Sequence, residues 1–453
     1  NVVIADCKKI SGGKYECNFC KHTFIVTHTK RVDEKQTNMK LTCDVCGYKG
    51  TKNPEKFDAD KEKELQNHFL EFIKAKDLWY PEEEMPMDYD LRRPYNYSMK
   101  KFVDFLTKRN LIGVAILFKE INKIKDNEIK YIMLNVFTST LSWVTELCVE
   151  PGHGWPISAY WVADVHYELN VWKQFNNRFK WFLRGKGYSK EEIGNYFKEA
   201  DTFAHLKDNA TTWILTRSST KLPVPDNSVD AIITDPPYGG NVMYSELSNF
   251  SSIWLKDLFN IKGLINDNEE AIINKYQKKN CSNYEGLLYN IFKECHRVLK
   301  PNKWMVMTFN NKESSVWMSL LRAARKAGFY IPDEGIIYQE PIKHYVNTLY
   351  QRREGSILGD FIYSFQKREK NCKPEKSLTN GEIKELIFDV ASKVICHNGG
   401  ATTSEIFQHI VPRLFNNDLI EEEKDLIPNI EEVLNKEFKF ERIGDIKKWV
   451  NKS

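Results

Sequence analysis

No apolar run in this sequence reaches bilayer-spanning length: the longest, such as 129–136 and 304–309, are short and interrupted by charge, which excludes a helical membrane span. A charge of one sign is also lacking. With 66 Lys and Arg against 62 Asp and Glu the formal charge is +4, so no chain-wide field draws in a polyanion and any nucleic-acid surface must be local. Cysteine is too sparse for a disulfide scaffold: there are ten in 453 residues, and Cys7, Cys148, Cys281, Cys295, Cys372 and Cys396 have no partner at a metal-ligand spacing. Neither an initiator methionine nor a secretory pattern precedes the first residues, so the start at Asn1 reads as that of a trimmed, processed or separately numbered segment. What is present is an ordinary globular composition, 42% apolar, in a length that exceeds one hydrophobic core and predicts two to four domains.

The remaining four cysteines are paired. Cys17-Asn18-Phe19-Cys20 and Cys43-Asp44-Val45-Cys46 are two Cys-x-x-Cys turns separated by 22 residues, the second followed by Gly47. A two-residue gap lets both sulfurs of one turn face a single ion, and two such turns supply four thiolates for a closed, structural zinc site. Such free thiolates imply a reducing, cytoplasmic setting. The segments 23–29 and 39–42 alternate as short strands do, which predicts a zinc ribbon over residues 1–53, with the ion replacing the core so small a lobe lacks. His22 and His28 read as bystanders. Residues 1–53 carry ten Lys and Arg against five Asp and Glu, beside Phe19 and Tyr48, a balance compatible with phosphate contact or simply with a solvated surface.

Between 97 and 148 apolar residues recur at helical spacing, as in Phe102, Phe105, Leu106, Leu111, Val114, Ala115, Leu117 and Phe118. A second block, 171–185, interleaves Trp172, Phe175, Phe179 and Phe182 with Lys173, Arg178, Lys180 and Arg184. Its aromatics fall on one helical face, the pattern of a core stripe with charges on the wet side, and a base-stacking role is the sharper alternative. The Gly and Pro cluster at 151–156 is a loop without a cofactor-binding pattern.

The most informative stretch runs Ala231-Ile232-Ile233-Thr234 into Asp235-Pro236-Pro237-Tyr238-Gly239-Gly240-Asn241. A short apolar run bounded by turn residues predicts a buried parallel strand, ended by the Pro-Pro pair at the carboxyl edge where open α/β sheets place their ligands. An aryl amine is a poor nucleophile because its lone pair is delocalised. Acceptors in line with its N–H bonds draw that nitrogen towards a tetrahedral state aimed at a methyl sulfonium. The Asp235 carboxylate and the Pro236 carbonyl, fixed by the ring of Pro237, are two such acceptors, and Tyr238 offers a face on which an extruded base stacks. The bland alternative is a polar turn after a strand. Downstream, the pattern predicts a helix over 284–299, a turn at Lys300-Pro301-Asn302, a strand over 304–309, an amphipathic helix over 315–328 closed by glycine, and strands near 335–338 and 361–365. Arg352 and Arg353 fall in the loop between the last two strands as candidate phosphate contacts.

With those residues in view, the sequence resembles the amino-group methyltransferases that modify adenine N6 or cytosine N4 in DNA, and among them the adenine-specific methylases that contain a zinc ribbon. The resemblance spans about 17–367 and is carried by Asp235-Pro236-Pro237-Tyr238, by Gly240-Asn241-Val242-Met243-Tyr244-Ser245-Glu246-Leu247-Ser248 and by the four paired cysteines. It implies a Rossmann-like α/β sheet and S-adenosyl-L-methionine as cofactor. It also implies catalytic roles for Asp235, Pro236, Pro237 and Tyr238, with Asp235 edging the cofactor site. Base or DNA contacts follow at Tyr238, Asn241 and Tyr244. Asp at the first motif position favours adenine, since cytosine enzymes often have Ser there. The family's Phe-x-Gly-x-Gly cofactor loop and the acidic residue ending its second strand have no counterpart here. Gly399-Gly400 is better explained as preceding a helix capped by Thr403 or Ser404. The first strands and the cofactor loop are therefore expected on a partner polypeptide or on a segment cleaved or numbered elsewhere.

Residues 378–453 carry ten basic and fourteen acidic side chains, which favours a protein-facing role over a DNA contact. The expected organisation is a zinc ribbon (1–53), a helical, DNA-positioning region (54–200), a catalytic half (201–367), a linker (368–380) and a small helical or winged-helix-like domain (381–453). The expected function is N6 methylation of adenine in DNA, in a restriction-modification or phage-defence setting. The rivals are an RNA adenine or cytosine N4 methyltransferase, and a non-catalytic nucleic-acid-binding subunit.

Overall fold

The computed structural model describes residues 4, 7–11, 14–25, 36–43, 45–91, 99–148, 160, 162, 166–262, 268–311, 313–339, 359–368, 379–416, 426–443 and 446–452. The chain divides into two compact units, Asn1–Phe197 with Met243–Asp267, and Lys198–Val242 with Asn268–Ser453. This grouping differs from the boundaries expected from sequence, because the segment after Asp-Pro-Pro-Tyr joins the first unit and the carboxyl-terminal helices join the second.

In the first unit, β1 (Cys7–Ser11), β2 (Lys14–Cys17) and β3 (Thr23–Ile25) form an antiparallel sheet, and β4 (Met39–Thr42) and β5 (Lys49–Lys52) form a hairpin. Among the described residues the α-helices that follow are α1 (Lys56–Asn67), α2 (Phe69–Ala75), α3 (Lys108–Asn122), α4 (Asn127–Leu141), α5 (Val171–Ile193) and α6 (Tyr244–Phe259). The starts of α3, α4 and α5 are capped by Thr107, Asp126 and Asn170, whose side chains accept the N–H groups of Asn110, Ile129 and Lys173; this satisfies donors that the helix itself leaves orphaned. Leu111, Val114 and Phe118 of α3, at helical spacing, are buried with Phe137 of α4 and with Phe250, Ile253 and Trp254 of α6. Trp254 meets Phe118 and Phe137 edge-on at 5.6 and 5.5 Å. That shared core is why α6 groups here.

The second unit is built on a five-stranded mixed sheet. β6 (Val229–Thr234) runs parallel to β7 (Leu299–Phe309), which pairs antiparallel with β10 (Asp360–Lys367); β10 in turn pairs with β8 (Phe329–Tyr330) and β9 (Ile336–Gln339). The turn expected at Lys300-Pro301-Asn302 is instead an irregularity within β7, with Asn302 at φ +60°. α7 (Cys281–Val298) and α8 (Ser314–Lys326) precede and follow β7, and α9 (Asn380–Asn398), α10 (Thr403–Asn416), α11 (Leu426–Glu437) and the hairpin β11 (Phe438–Ile443) and β12 (Ile446–Asn451) close the chain. α10 is capped one residue earlier than expected, by Thr402, whose hydroxyl accepts the Glu405 N–H while the Glu405 carboxylate accepts the Thr402 N–H.

One face of the sheet is fully covered. Met305, Met307 and Phe309 of β7 and Phe361, Tyr363 and Phe365 of β10 are buried with Leu288 of α7, Trp317 of α8 and Phe407 of α10. Trp317 stands edge-on to Phe309, Phe361 and Phe407 at 5.4, 5.5 and 4.9 Å, so the carboxyl-terminal helices share the sheet's core. Losing so enclosed a ring to alanine costs about 3–5 kcal/mol. The other face, with Trp304, Val306, Ile362 and Ser364, is only half-buried. β6 pairs as expected but is not the buried strand the apolar run suggested. It has no partner on its outer side among the described residues, and Ile233 is 85% exposed.

Candidate active site at the carboxyl edge of β6

The parallel register sets Thr234 beside Met307, which brings Asp235 level with Thr308 at the ends of the two strands. The Thr308 hydroxyl donates to Asp235 Oδ1 at 3.0 Å, and the Tyr238 hydroxyl donates to Thr308 Oγ1 at 3.4 Å. This short relay holds an exposed carboxylate in a fixed orientation. The loop behind it is pinned by backbone carbonyls. Fully buried Tyr284 of α7 donates its hydroxyl to the Pro237 carbonyl at 2.6 Å, and Asn311 Nδ2 donates to the Tyr238 carbonyl at 3.0 Å. Gly239 closes the turn at φ +63°, its N–H on the Pro237 carbonyl at 3.0 Å and its own carbonyl accepting the Ile273 N–H at 3.2 Å.

The ring of Tyr238 lies 5.0 Å from that of Phe309 at a tilt of 57°, half-buried, so it is braced from behind. Burial, with Asp235 adding to it, pushes the Tyr238 hydroxyl well above its ordinary range, and the phenol stays neutral. Burial and the nearby charge of Asp235 likewise raise the Asp360 carboxyl. Asp235, Pro236, Pro237 and Tyr238 thus form one loop, with Asn241 exposed three residues further on and its N–H on the Tyr238 carbonyl at 3.4 Å. Tyr244 opens α6 in the first unit and is 48% exposed. Arg352 and Arg353 lie outside the described residues. Thr308, Tyr284, Asn311 and Asp360 were not singled out from sequence. Thr308 alone had a local signal, standing one residue before the end of a strand parallel to β6.

Glu246, in the segment after the loop, is also anchored. Its buried carboxylate accepts the N–H groups of Tyr89, Asp90 and Leu91 at 3.1, 2.9 and 3.1 Å, while burial, and then Asp88, push its pKa up to about 8.

The paired cysteines form two turns of the same design. In the first, the Cys17 N–H donates to the His22 carbonyl and the Lys21 N–H to the Cys17 carbonyl, both at 2.9 Å, with Lys21 at φ +58°. In the second, Cys43 to Tyr48 and Gly47 to Cys43 repeat both bonds at 2.9 Å, with Gly47 at φ +73°. The N–H groups of Cys20 and Phe19 lower the Cys17 thiol below its ordinary range. The expected four-thiolate site of Cys17, Cys20, Cys43 and Cys46 is nevertheless not assembled: no group of three or more metal-ligating side chains gathers among the described residues. Each turn is closed by its own backbone bonds, which fix the two sulfurs of a pair but put no constraint on the distance between pairs. Among the described residues no helix is long and apolar enough to cross a membrane.

The geometry of the second unit is that of a mixed α/β sheet presenting an acidic, proline-fixed, aromatic loop at the carboxyl edge of a parallel strand. Residues 229–443, from β6 through β11, match the family model described as DNA methylase. No curated protein matches the chain. Among solved structures, a protein of Thermus thermophilus assigned as a DNA modification methylase, complexed with S-adenosyl-L-methionine, is 15% identical, with 37% of this chain and 57% of that one covered and a TM-score of 0.17. A SAM-dependent methyltransferase from Methanosarcina mazei is 12% identical over 36% of this chain and 73% of that one, with a TM-score of 0.18. The chain thus spans 57% of the Thermus protein's length.

Proposed function

We propose that this chain carries the catalytic half of an S-adenosyl-L-methionine-dependent methyltransferase acting on the exocyclic N6 of adenine in DNA. The observation that carries the reading is the exposed Asp235 carboxylate, oriented by Thr308, which also accepts from the hydroxyl of the braced Tyr238 ring. Asp235 Oδ and the Pro236 carbonyl accept the two N–H bonds of the amine. Withdrawing that nitrogen from conjugation localises its lone pair, and the carboxylate then takes the proton released as the new N–C bond forms. Tyr238, neutral and backed by Phe309, stacks on the base. The cofactor supplies the methyl group when bound. Asp235 edges its place, and the remaining contacts are assigned in this reading to a further segment.

A partner polypeptide or separate segment bearing the Gly-rich loop accounts for the outer edge of β6, unpaired among the described residues, and for the half-buried face of the sheet. Zinc held between the two cysteine turns accounts for their identical bonding, and the ribbon and helical regions serve to position DNA. A restriction-modification or phage-defence setting and a cytoplasmic location complete the reading. Cytosine N4 or RNA as substrate, and a purely binding subunit, are the alternatives to be separated. Incubation of the chain and its completing segment with labelled cofactor and duplex DNA, duplex lacking adenine, or RNA is expected to label only adenine-containing DNA, recovered as N6-methyladenine. Asp235→Ala is expected to abolish transfer while leaving DNA affinity within about twofold, because one exposed carboxylate contributes no favourable phosphate contact. Transfer that survives in this variant would remove the proposed mechanism.

A further inference from the structure

The aromatic block at 171–185 does not behave as a simple core stripe. In α5, Val171 and Phe175 are buried and Phe179 and Phe182 pack against the same core, but Trp172 and Trp181 are 67% and 64% exposed. The helix carries Lys173, Arg178, Lys180, Arg184, Lys186 and Lys190 against only Glu191 and Glu192 at its end. Lys173, Asn177, Lys180, Trp181, Arg184 and Tyr188 recur at i, i+4, i+7, i+8, i+11 and i+15, which places them on one stripe turned away from the core. Lys173, Lys180 and Arg184 are exposed, and no carboxylate pairs with them among the described residues.

Two further features point to what this stripe receives. The Arg178 guanidinium is layered between the rings of Trp143 and Trp181, 4.2 and 4.5 Å from their centroids, with its Nε buried and unpartnered among the described residues. That layering fixes the Trp181 ring as a rigid platform whose remaining surface is open, so little side-chain freedom is lost when another planar group stacks on it. Between Trp181 and Tyr188, which is 65% exposed, stands Gly185, whose missing Cβ has nothing within 4 Å. Gly185 therefore adds no side chain to the span between the two rings, about 10 Å along the helix axis, and Arg184 stands there as its cation.

We infer that α5 binds an unpaired nucleic-acid strand, with bases stacked on Trp181 and Tyr188 and the flanking phosphates held by Lys173, Lys180 and Arg184. Cations alone serve a duplex equally well; exposed rings interleaved with them select strands whose bases are free. These side chains give specific form to the DNA-positioning role proposed for the helical region, on which this assignment rests, and binding rather than transfer tests them.

The test measures anisotropy of labelled 20-mers, single-stranded DNA, single-stranded RNA and duplex DNA, with the full chain over a range of salt, and heparin as a polyanion without bases. Single strands are expected to bind more tightly than duplex. Trp181→Ala is expected to weaken single-strand binding about tenfold without changing heparin binding, and Trp181→Phe to recover most of the loss. Tyr188→Ala, which removes an exposed ring, gives the same direction with no risk to the fold. Charge reversal at Lys173, Lys180 and Arg184 together is expected to flatten the dependence of log affinity on log salt by about 2. RNA binding as well as DNA assigns the surface to unpaired strands of either sugar, whereas a preference for duplex, or unchanged single-strand affinity in both aromatic variants, overturns the inference. A chain that binds in this way yet transfers no methyl group in the presence of its completing segment leaves α5 assigned and removes the methyltransferase reading instead.

Discussion

Gly239 shows how narrowly the loop is specified. A Cβ there would come within 2.7 Å of Val316 Cγ1 and 3.3 Å of Asn311 Nδ2, on a backbone at φ +63°. Both the left-handed conformation and the overlap oppose any side chain, together at a cost of about 1–3 kcal/mol. Because Asn311 also donates to the Tyr238 carbonyl, the strain is transmitted directly to Tyr238, the residue proposed to hold the base. Gly239→Ala is expected to lower thermal stability by that amount and methyl transfer at least tenfold. Gly239→Ala with Val316→Ala, which removes the overlap but not the strain, is expected to recover part of both. Equal losses in single and double variants, by thermal melt and initial rate, would assign the whole effect to φ.

At the scale of elements, the cysteine turns and the loop after β6 share one device, a backbone closed on itself by its own hydrogen bonds. For the loop this suffices, because α7 and β7 deliver Tyr284 and Thr308 from outside. For the turns it does not, since nothing in either hairpin sets the spacing between the pairs. The purified chain is expected to contain one zinc per molecule, and chelation is expected to melt residues 1–53, where Tyr15 and Cys17 are the buried apolar side chains among the described residues, while the helices persist. Emission spectroscopy that finds no zinc, or a far-ultraviolet spectrum and proteolysis pattern indifferent to chelator, would remove the metal from the reading.

For the whole molecule, the unsatisfied feature is the sheet. Covered on one face by α7, α8 and α10, it presents on the other a half-buried surface and a parallel edge strand with Ile233 85% exposed. Exposed strand edges are usually blunted by charge or proline, and Asp230 supplies only one such charge on β6, tied to Lys300 at 2.8 Å. Ile233→Asp is expected to leave the stability of the isolated chain within about 0.5 kcal/mol, since the side chain is already in water. In the presence of the completing segment it is expected to abolish association and with it transfer, read by co-purification. Undiminished association would place that segment elsewhere.

By itself the sequence determined the local patterns and the elements that carry them. Asp235 to Tyr238 after an apolar run, the helices and strands downstream, and the paired cysteines are all local patterns, set by side-chain period, turn residues and rigid proline. Tertiary structure alone decided what those patterns meet. The long-range partners, Thr308 for Asp235, Tyr284 for Pro237 and Arg178 between two tryptophans, depend on strand register and helix crossing, which no local window contains. Burial followed the same division: the apolar run of β6 specifies a strand, but whether a strand is buried depends on neighbours on both of its edges, and among the described residues β6 has one. The aromatic stripe of α5 divided for the same reason, with rings facing the shared core buried and those facing away left to bind.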